Sequence, residues 1–183
     1  MGEVYKSIDT RLDRVVAIKV LPAHLSQDAD LRQRFEKEAK AVSVLNHPNI
    51  CTLHDVGREG NIEYLVMEFL DGRTLANRLA RGPIPPEELL RYAIQMANAL
   101  DKAHRKGIVH RDLKPGNVML TKSGVKLVDF GLAKVAIQSH SAAPASSQTE
   151  KRDLTEEGTL LGTLHYMPAE QLEGKEIDTR SDI

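Results

Sequence analysis

Between residues 110 and 131 the chain leaves itself few ways to fold. Val118-Met119-Leu120 and Val125-Lys126-Leu127-Val128 are short apolar runs, and the four residues between them, Thr121-Lys122-Ser123-Gly124, are turn formers. Two such runs around such a turn pair as a β-hairpin. That pairing fixes what meets at the open end. Asn117, just before the first run, lies roughly opposite Val128 and beside Asp129.

The rest of the chain must supply a core for this hairpin, and its composition allows one: of 183 residues, 41% are hydrophobic and 28% charged, the balance of a globular protein of one or two compact units. A formal net charge of −1 and a pI near 6.7 leave no basic excess to attract nucleic acid or anionic lipid. The single cysteine, Cys51, excludes an internal disulfide framework, suits a reducing cytosol and reads as a small core residue. No apolar run approaches the ~20 residues that span a bilayer, and the N-terminus lacks a secretory pattern. We therefore expect a cytoplasmic chain with no membrane segment of its own, whose parent protein is free to carry an anchor elsewhere.

Periodicity divides the chain in two. Val4-Tyr5-Lys6 and the β-branched run Val15 to Leu21, closed by Pro22, read as strands joined by the polar Arg11-Leu12-Asp13-Arg14. Between Gln27 and Leu45, Leu31, Phe35, Val42 and Leu45 recur at helical spacing, and Asn46-His47-Pro48-Asn49 ends the element. Strands follow over Ile50 to Val56 and Ile62 to Leu70, with 57–61 as the turn, and Asp71-Gly72-Arg73 breaks the pattern. Beyond it helix dominates: Pro85-Pro86-Glu87-Glu88 starts one whose face is Leu89, Ala93, Met96 and Leu100, until Gly107 stops it. From Ile137 to about Arg152 a Ser-, Ala- and Gln-rich stretch without periodicity reads as a loop.

Two charges sit where charges are expensive. At 100° per residue Glu38 falls within the apolar arc of its helix, and Lys19 interrupts an apolar strand. An unpaired buried charge costs several kcal/mol, so pairing Lys19 with Glu38 relieves both. The plainer alternative is a lysine that snorkels at a sheet edge and a glutamate that reaches water. At the hairpin, an amide oxygen (Asn117) and a carboxylate (Asp129) form a small set of hard ligands that leaves room for phosphate oxygens, as Mg²⁺ in a nucleotide site requires. Asp112, just upstream, is placed to accept or orient a hydroxyl proton while Lys114 neutralises transferred phosphate charge. Taken singly, each of these is more often a loop-capping residue. In this order and spacing they point to phosphoryl transfer.

The run His110-Arg111-Asp112-Leu113-Lys114-Pro115-Gly116-Asn117 resembles the protein-kinase catalytic loop, Asp129-Phe130-Gly131 the metal-binding triplet, and Val16-Ala17-Ile18-Lys19 the strand of the phosphate-binding lysine. The resemblance covers essentially the whole chain. Met1 to Lys6, Leu45 to Ile50 and Tyr166 to Leu172 are similar to the bacterial Ser/Thr branch, and Lys114 two residues after Asp112 is typical of Ser/Thr specificity. It implies an α+β, bilobal fold: an N-lobe over 1–70 with a small antiparallel sheet and one helix, and a partial helical C-lobe over 71–183 holding the catalytic loop 110–117 and the activation segment 129–170. The implied cofactors are ATP and Mg²⁺. The implied partners are proteins presenting Ser or Thr hydroxyls, and a kinase dimer for autophosphorylation is allowed.

By that resemblance Lys19, paired with Glu38, holds the α- and β-phosphates, Asp112 is the catalytic base, Lys114 contacts the γ-phosphate, and Asn117 and Asp129 bind Mg²⁺. Val4, Ala17 and Met119 sandwich the adenine, Met67 is the gatekeeper, and the backbone of Glu68 and Leu70 bonds the base. Val42, Leu53, Phe130 and His110 form the stack that joins the lobes. Thr155 and Thr159 are candidate phosphosites, with Arg111 as the cation that would order a phosphate, and Thr163 contacts Asp112 and Lys114 near the substrate. Ser139, Ser141, Ser146 and Ser147 read as solvent-compatible filler.

The pattern is departed from in three places. Of the Gly-rich loop only its last glycine, Gly2, is present; Pro168-Ala169-Glu170 stands where Ala-Pro-Glu or Ser-Pro-Glu is usual; and the sequence stops just after Asp182, which resembles the aspartate that holds the catalytic loop from the start of the next large helix. From these we expect a truncated kinase, marginally stable and nearly inactive in isolation, with an active parent. Two other readings stand beside it. A small-molecule phosphotransferase shares the Asp and Asn spacing, but Arg111, Lys114 and the long segment after Phe130 argue against it. A non-catalytic nucleotide- or partner-binding fragment is favoured by deletion and disfavoured by the intact Lys19, Glu38, Asp112, Asn117 and Asp129.

Overall fold

Alternating apolar and polar side chains build two small antiparallel sheets in the computed structural model, which describes residues 3–21, 29–130, 165–173 and 175–183. β1 (Val4–Asp9) and β2 (Arg14–Val20) pair from Val4↔Lys19 to Asp9↔Arg14. Their turn is tied by Asp9, whose carboxylate accepts the amides of Arg11 and Leu12 at 3.1 and 3.2 Å and the Arg14 Nε at 3.2 Å. β3 (Leu53–Glu59) and β4 (Ile62–Glu68) complete the first sheet in the order β1-β2-β4-β3. Directly opposed residues share a face. The register thus puts Val4, Lys19 and Leu65 in one row and Lys6, Ala17, Met67 and Leu53 in the next, all on one side.

Against the β3 end of that side packs α1 (Ala29–Ser43), which turns Leu31, Phe35, Ala39 and Val42 inward at the spacing the sequence predicts. The second sheet, in the order β5-β6-β7, contains β5 (Gly72–Thr74), β6 (Val118–Thr121) and β7 (Gly124–Leu127). The expected hairpin is β6–β7, closed at Thr121↔Gly124 with Gly124 at φ +123°. Thr74 caps α2 (Leu75–Leu79) through the Asn77 amide, at 3.1 Å. α3 (Pro86–His104) begins with proline and two glutamates and ends with Lys102 and His104, which suits its dipole. A 3-10 turn over Pro115–Asn117 leads into β6, and near the end α4 (Ala169–Leu172) precedes another over Thr179–Asp182.

The two sheets are joined by residues 69–71 and by the loop after α1. Ile50 makes a parallel bridge to Leu127, the Cys51 amide donates to the Leu127 carbonyl at 2.9 Å, and the Leu127 amide donates to the Asn49 carbonyl at 2.8 Å. Both backbone groups of Val125 are met by side chains: Gln95 Oε1 accepts its amide and Asn49 Nδ2 donates to its carbonyl, each at 2.7 Å. Among the described residues no helix is long and apolar enough to cross a membrane.

Three elements differ from the sequence reading. The third strand of the first sheet is 53–59, not 50–56, because 57–59 pair with 62–64 and the turn shrinks to Gly60, at φ +57°, and Asn61. Asp71-Gly72-Arg73 does not merely interrupt the pattern, since Gly72 opens β5. On α3 the expected stripe is buried only at Leu100, flanked by Ala99 and Ala103, while Leu89 is exposed. The helix meets the hairpin with its C-terminal half.

Gly72 has no room for a side chain: a Cβ there would stand 2.2 Å from the Leu120 carbonyl oxygen, whereas nothing lies within 4 Å of the corresponding position at Gly116. Gly72→Ala is expected to cost about 2 kcal/mol or more, by forcing β5 from β6. Gly116→Ala should stay within about 0.5 kcal/mol. Urea unfolding midpoints of the two variants test the difference.

Candidate active site

The loop before the hairpin is held by one buried carboxylate. Asp182 Oδ2 receives the His110 amide at 2.7 Å and pairs with His104 Nε2 at 2.8 Å, and Oδ1 receives the Arg111 amide at 2.8 Å. This is the role expected of Asp182. His104, at the end of α3, is a partner the sequence reading missed, since a histidine in a helix's last turn already has a dipole explanation. The grip allows Arg111 to sit at φ +65°, a conformation uncommon for a side chain of its size.

His110 is fully buried and tilts against Phe130, with ring centroids 4.5 Å apart. The Asp112 amide donates to its Nδ1 at 3.3 Å, so the proton is on Nε2, which donates to the Val128 carbonyl at 3.1 Å. Burial holds this imidazole below its ordinary pKa, against the opposing pull of Asp182 and the Val128 carbonyl. Val42, Leu53 and Phe130, the other members of the expected stack, are buried around one small cavity of about 20 Å³ that also touches Cys51, Met67 and Asp129. Burial, with the neighbouring Glu68 charge, pushes the Cys51 thiol up to about 12, so it is a packed, protonated side chain.

Beyond Arg111 the side chains of the 110–117 loop converge. Lys114 Nζ lies 2.9 Å from Asp112 Oδ2, and Asn117 Nδ2 donates to both the carbonyl and Oδ2 of Asp112, at 2.8 and 2.9 Å. The Val128 amide donates to the Asn117 carbonyl at 3.0 Å, which puts Asn117 opposite Val128 and next to Asp129, the hairpin geometry anticipated. Asp129 also stands in the left-handed region, at φ +62°. Asn117 spends its amide nitrogen on Asp112, leaving the amide oxygen and the Asp129 carboxylate as hard donors. Two such oxygens suit Mg²⁺ shared with phosphates and water. Among the described residues no group of three or more His, Cys, Asp or Glu could hold a metal by protein ligands alone.

The Lys19–Glu38 pair is not formed. Lys19 Nζ lies 2.7 Å from Asp129 Oδ1, and Glu38 Oε1 lies 3.0 Å from Arg111 Nη1. Both charges have a partner, as desolvation demands, but each takes one from the hairpin or loop. Burial raises the Glu38 pKa, and the Arg111 guanidinium only partly offsets it.

Val4, Ala17, Lys19 and Met67 share one sheet face, with Val4 exposed and Ala17 partly so, and Met119 lies on β6. The Glu68 amide is spent on the Thr52 carbonyl, 2.9 Å away, so of its backbone only the carbonyl, approached by Cys51 Sγ at 3.7 Å, can serve a ligand. Leu70 lies in the irregular 69–71 segment. Glu170 opens α4 and its carboxylate accepts the Ser181 hydroxyl, which lowers its pKa. Gly2, Thr155, Thr159, Thr163 and the four serines lie outside the described residues.

Two outcomes follow. Asp182→Ala leaves two loop amides without their acceptor and should cost about 3 kcal/mol, while Asp182→Asn, which keeps one acceptor oxygen, should cost less. Urea denaturation of both variants tests this. The second concerns pH. The unfolded chain protonates His110 near its ordinary value of 6.5, the folded chain only at lower pH. More protons are then bound by the unfolded state, so stability falls as pH drops below 6.5 and is level above it. His47 and His54, also lowered by burial, add to the slope, and Glu38, raised, opposes it. The unfolding midpoint should be lower at about pH 5.5 than at about pH 7.5, and the difference should shrink in His110→Gln.

Residues 1–183 match the family described as the protein kinase domain. The chain is 42% identical to a probable serine/threonine-protein kinase of Streptomyces coelicolor, 37% to the serine/threonine-protein kinase PknB of Mycobacterium leprae and 40% to PknA of Mycobacterium tuberculosis, each time over its whole length and over 26%, 28% and 41% of the relative. The crystal structure of the Mycobacterium tuberculosis PknI kinase domain superposes with a TM-score of 0.74 at 30% identity, covering 100% of this chain and 62% of that one. The chain thus spans about a quarter of the first curated relatives it matches and less than two thirds of the solved kinase domain. On the match over its full length and on these identities, the chain belongs to the protein kinase family.

Proposed function

We propose that the protein transfers the γ-phosphate of ATP to Ser or Thr hydroxyls of proteins. The observation that carries this is the convergence on Asp112: Lys114 and Asn117 both bond Oδ2 of that carboxylate, and Asn117 is in turn joined through the hairpin to Asp129. In this reading Asp112 accepts the proton of the attacking hydroxyl, and Lys114, at 2.9 Å, neutralises charge on the phosphoryl group in flight. Lys19 binds the α- and β-phosphates, and its present partner Asp129 lies 2.7 Å away, where phosphate and metal would meet it. Asn117 and Asp129 hold Mg²⁺, which when bound neutralises phosphate charge. The base is held by the apolar surfaces of Val4, Ala17 and Met119 beside Met67, with the Glu68 carbonyl and the Leu70 backbone as its hydrogen-bonding edge.

The same reading assigns the first sheet with α1 (1–70) and the following part (71–183) to the two lobes of one kinase domain. It makes Gly2 the last glycine over the phosphates, Thr155 and Thr159 the regulatory phosphosites and Thr163 a substrate-side contact of Asp112 and Lys114. The partners are protein substrates, with a second kinase copy for autophosphorylation.

In the full-length protein, Asp112→Asn should lower phosphate transfer from Mg-ATP to a basic test protein by about 10²- to 10⁴-fold. Lys19→Met and Asp129→Asn should abolish it, and chelation of Mg²⁺ should do the same. A radiolabelled transfer assay reads all four, and an Asp112→Asn protein as active as the parent would remove the assignment.

A further inference from the structure

Lys126 sits in the middle of β7, yet its side chain leaves the hairpin for the other sheet. Nζ lies 2.7 Å from Glu68 Oε2 and 3.5 Å from the Ile50 carbonyl oxygen. The same Glu68 oxygen accepts the Thr52 amide at 3.2 Å, while the Glu68 amide donates to the Thr52 carbonyl at 2.9 Å. The two side chains are only 13% and 30% exposed. A lysine serving solubility would extend into water, and this one is tied down. The function proposed above uses neither charged group.

Their places in the fold give the pair a task. Glu68 ends β4, and the next three residues carry the chain from one sheet to the other. Lys126 lies three residues before Asp129 on the strand that delivers that carboxylate. The ion pair therefore ties the segment that would receive the base to the hairpin that would receive the metal and phosphates. These are the two ends of one nucleotide.

We propose that Lys126 and Glu68 form a positioning pair that sets how tightly the nucleotide is held, by fixing residues 69–71 against the Asn117–Asp129 hairpin. The proposal rests on the nucleotide reading above. Lys126 touches no reacting group, and Asp112, Lys114 and Asn117 make their mutual contacts without it. Its loss therefore weakens binding and leaves the transfer step in place.

In the full-length protein, Lys126→Met should weaken Mg-ADP binding in calorimetry, and raise the KM for ATP, by about tenfold, the worth of one charge-assisted hydrogen bond. The kcat at saturating ATP should stay within about twofold of the parent, and Lys126→Arg should restore affinity. Adding Glu68→Gln to Lys126→Met should cost little more, because one interaction cannot be lost twice. Should Lys126→Met fail to fold, Glu68→Gln, which keeps side-chain size, reads the same pair. Parent-like Mg-ADP affinity in the variants, or a loss borne by kcat in place of KM, overturns the positioning pair and leaves the kinase reading intact. A parent protein that binds no Mg-ADP overturns both.

Discussion

The candidate site depends first on a carboxylate that touches none of its chemistry. Asp182 is buried and accepts two consecutive backbone amides, those of His110 and Arg111, as well as pairing with His104. A buried charge is tolerable only when its lone pairs are filled by good donors. The amides fill them only if the chain turns sharply at Arg111, which accounts for the left-handed φ of that residue. The turn in turn fixes His110 inward, where its ring meets Phe130 and its Nε2 meets the Val128 carbonyl. The loop and the hairpin are thereby held from one point, and Asp112 comes to lie within reach of Lys114 and Asn117.

A second constraint joins the halves. β7 has β6 on one side, and its other side would be an open edge had the loop after α1 not occupied it. Asn49, Ile50 and Cys51 take that edge with backbone bonds to Leu127, and Asn49 adds a side-chain bond to Val125. The loop thereby closes that edge of β7 to another chain. It also makes the end of α1 a neighbour of the strand leading to Asp129, so that Lys19 and Glu38 find partners in Asp129 and Arg111. These four charges sum to zero, which lowers the cost of gathering them where their side chains are only 12% to 35% exposed.

What was legible in the sequence was local. The β6–β7 hairpin depends on two apolar runs and a turn within eleven residues, and its register places Asn117 opposite Val128 as anticipated. The apolar stripe of α1 is equally local, and its inward side chains follow helical spacing. Boundaries suffered where a residue type has two uses. Gly57 reads as a turn former but pairs with Tyr64, whose ring covers the place a Cβ would take. On α3 the period was right, but no periodic pattern says which part of a helix is covered by the hairpin.

The pairing of the site charges shows the same limit in energetic form. Periodicity marks Glu38 and Lys19 as charges on apolar faces, which is a statement about each residue separately and leaves both a partner and an escape to water open. The identity of the partner depends on the distance between α1 and the loop at 111, a tertiary quantity that no spacing encodes. Each charge is met, at 3.0 Å for Glu38 and 2.7 Å for Lys19, and desolvation is silent on which opposite charge meets it. His104 and Lys126 escaped notice for the converse reason. Each has a sufficient local explanation, a helix C-terminus for one and an alternating strand for the other, so neither posed a problem that called for a distant partner.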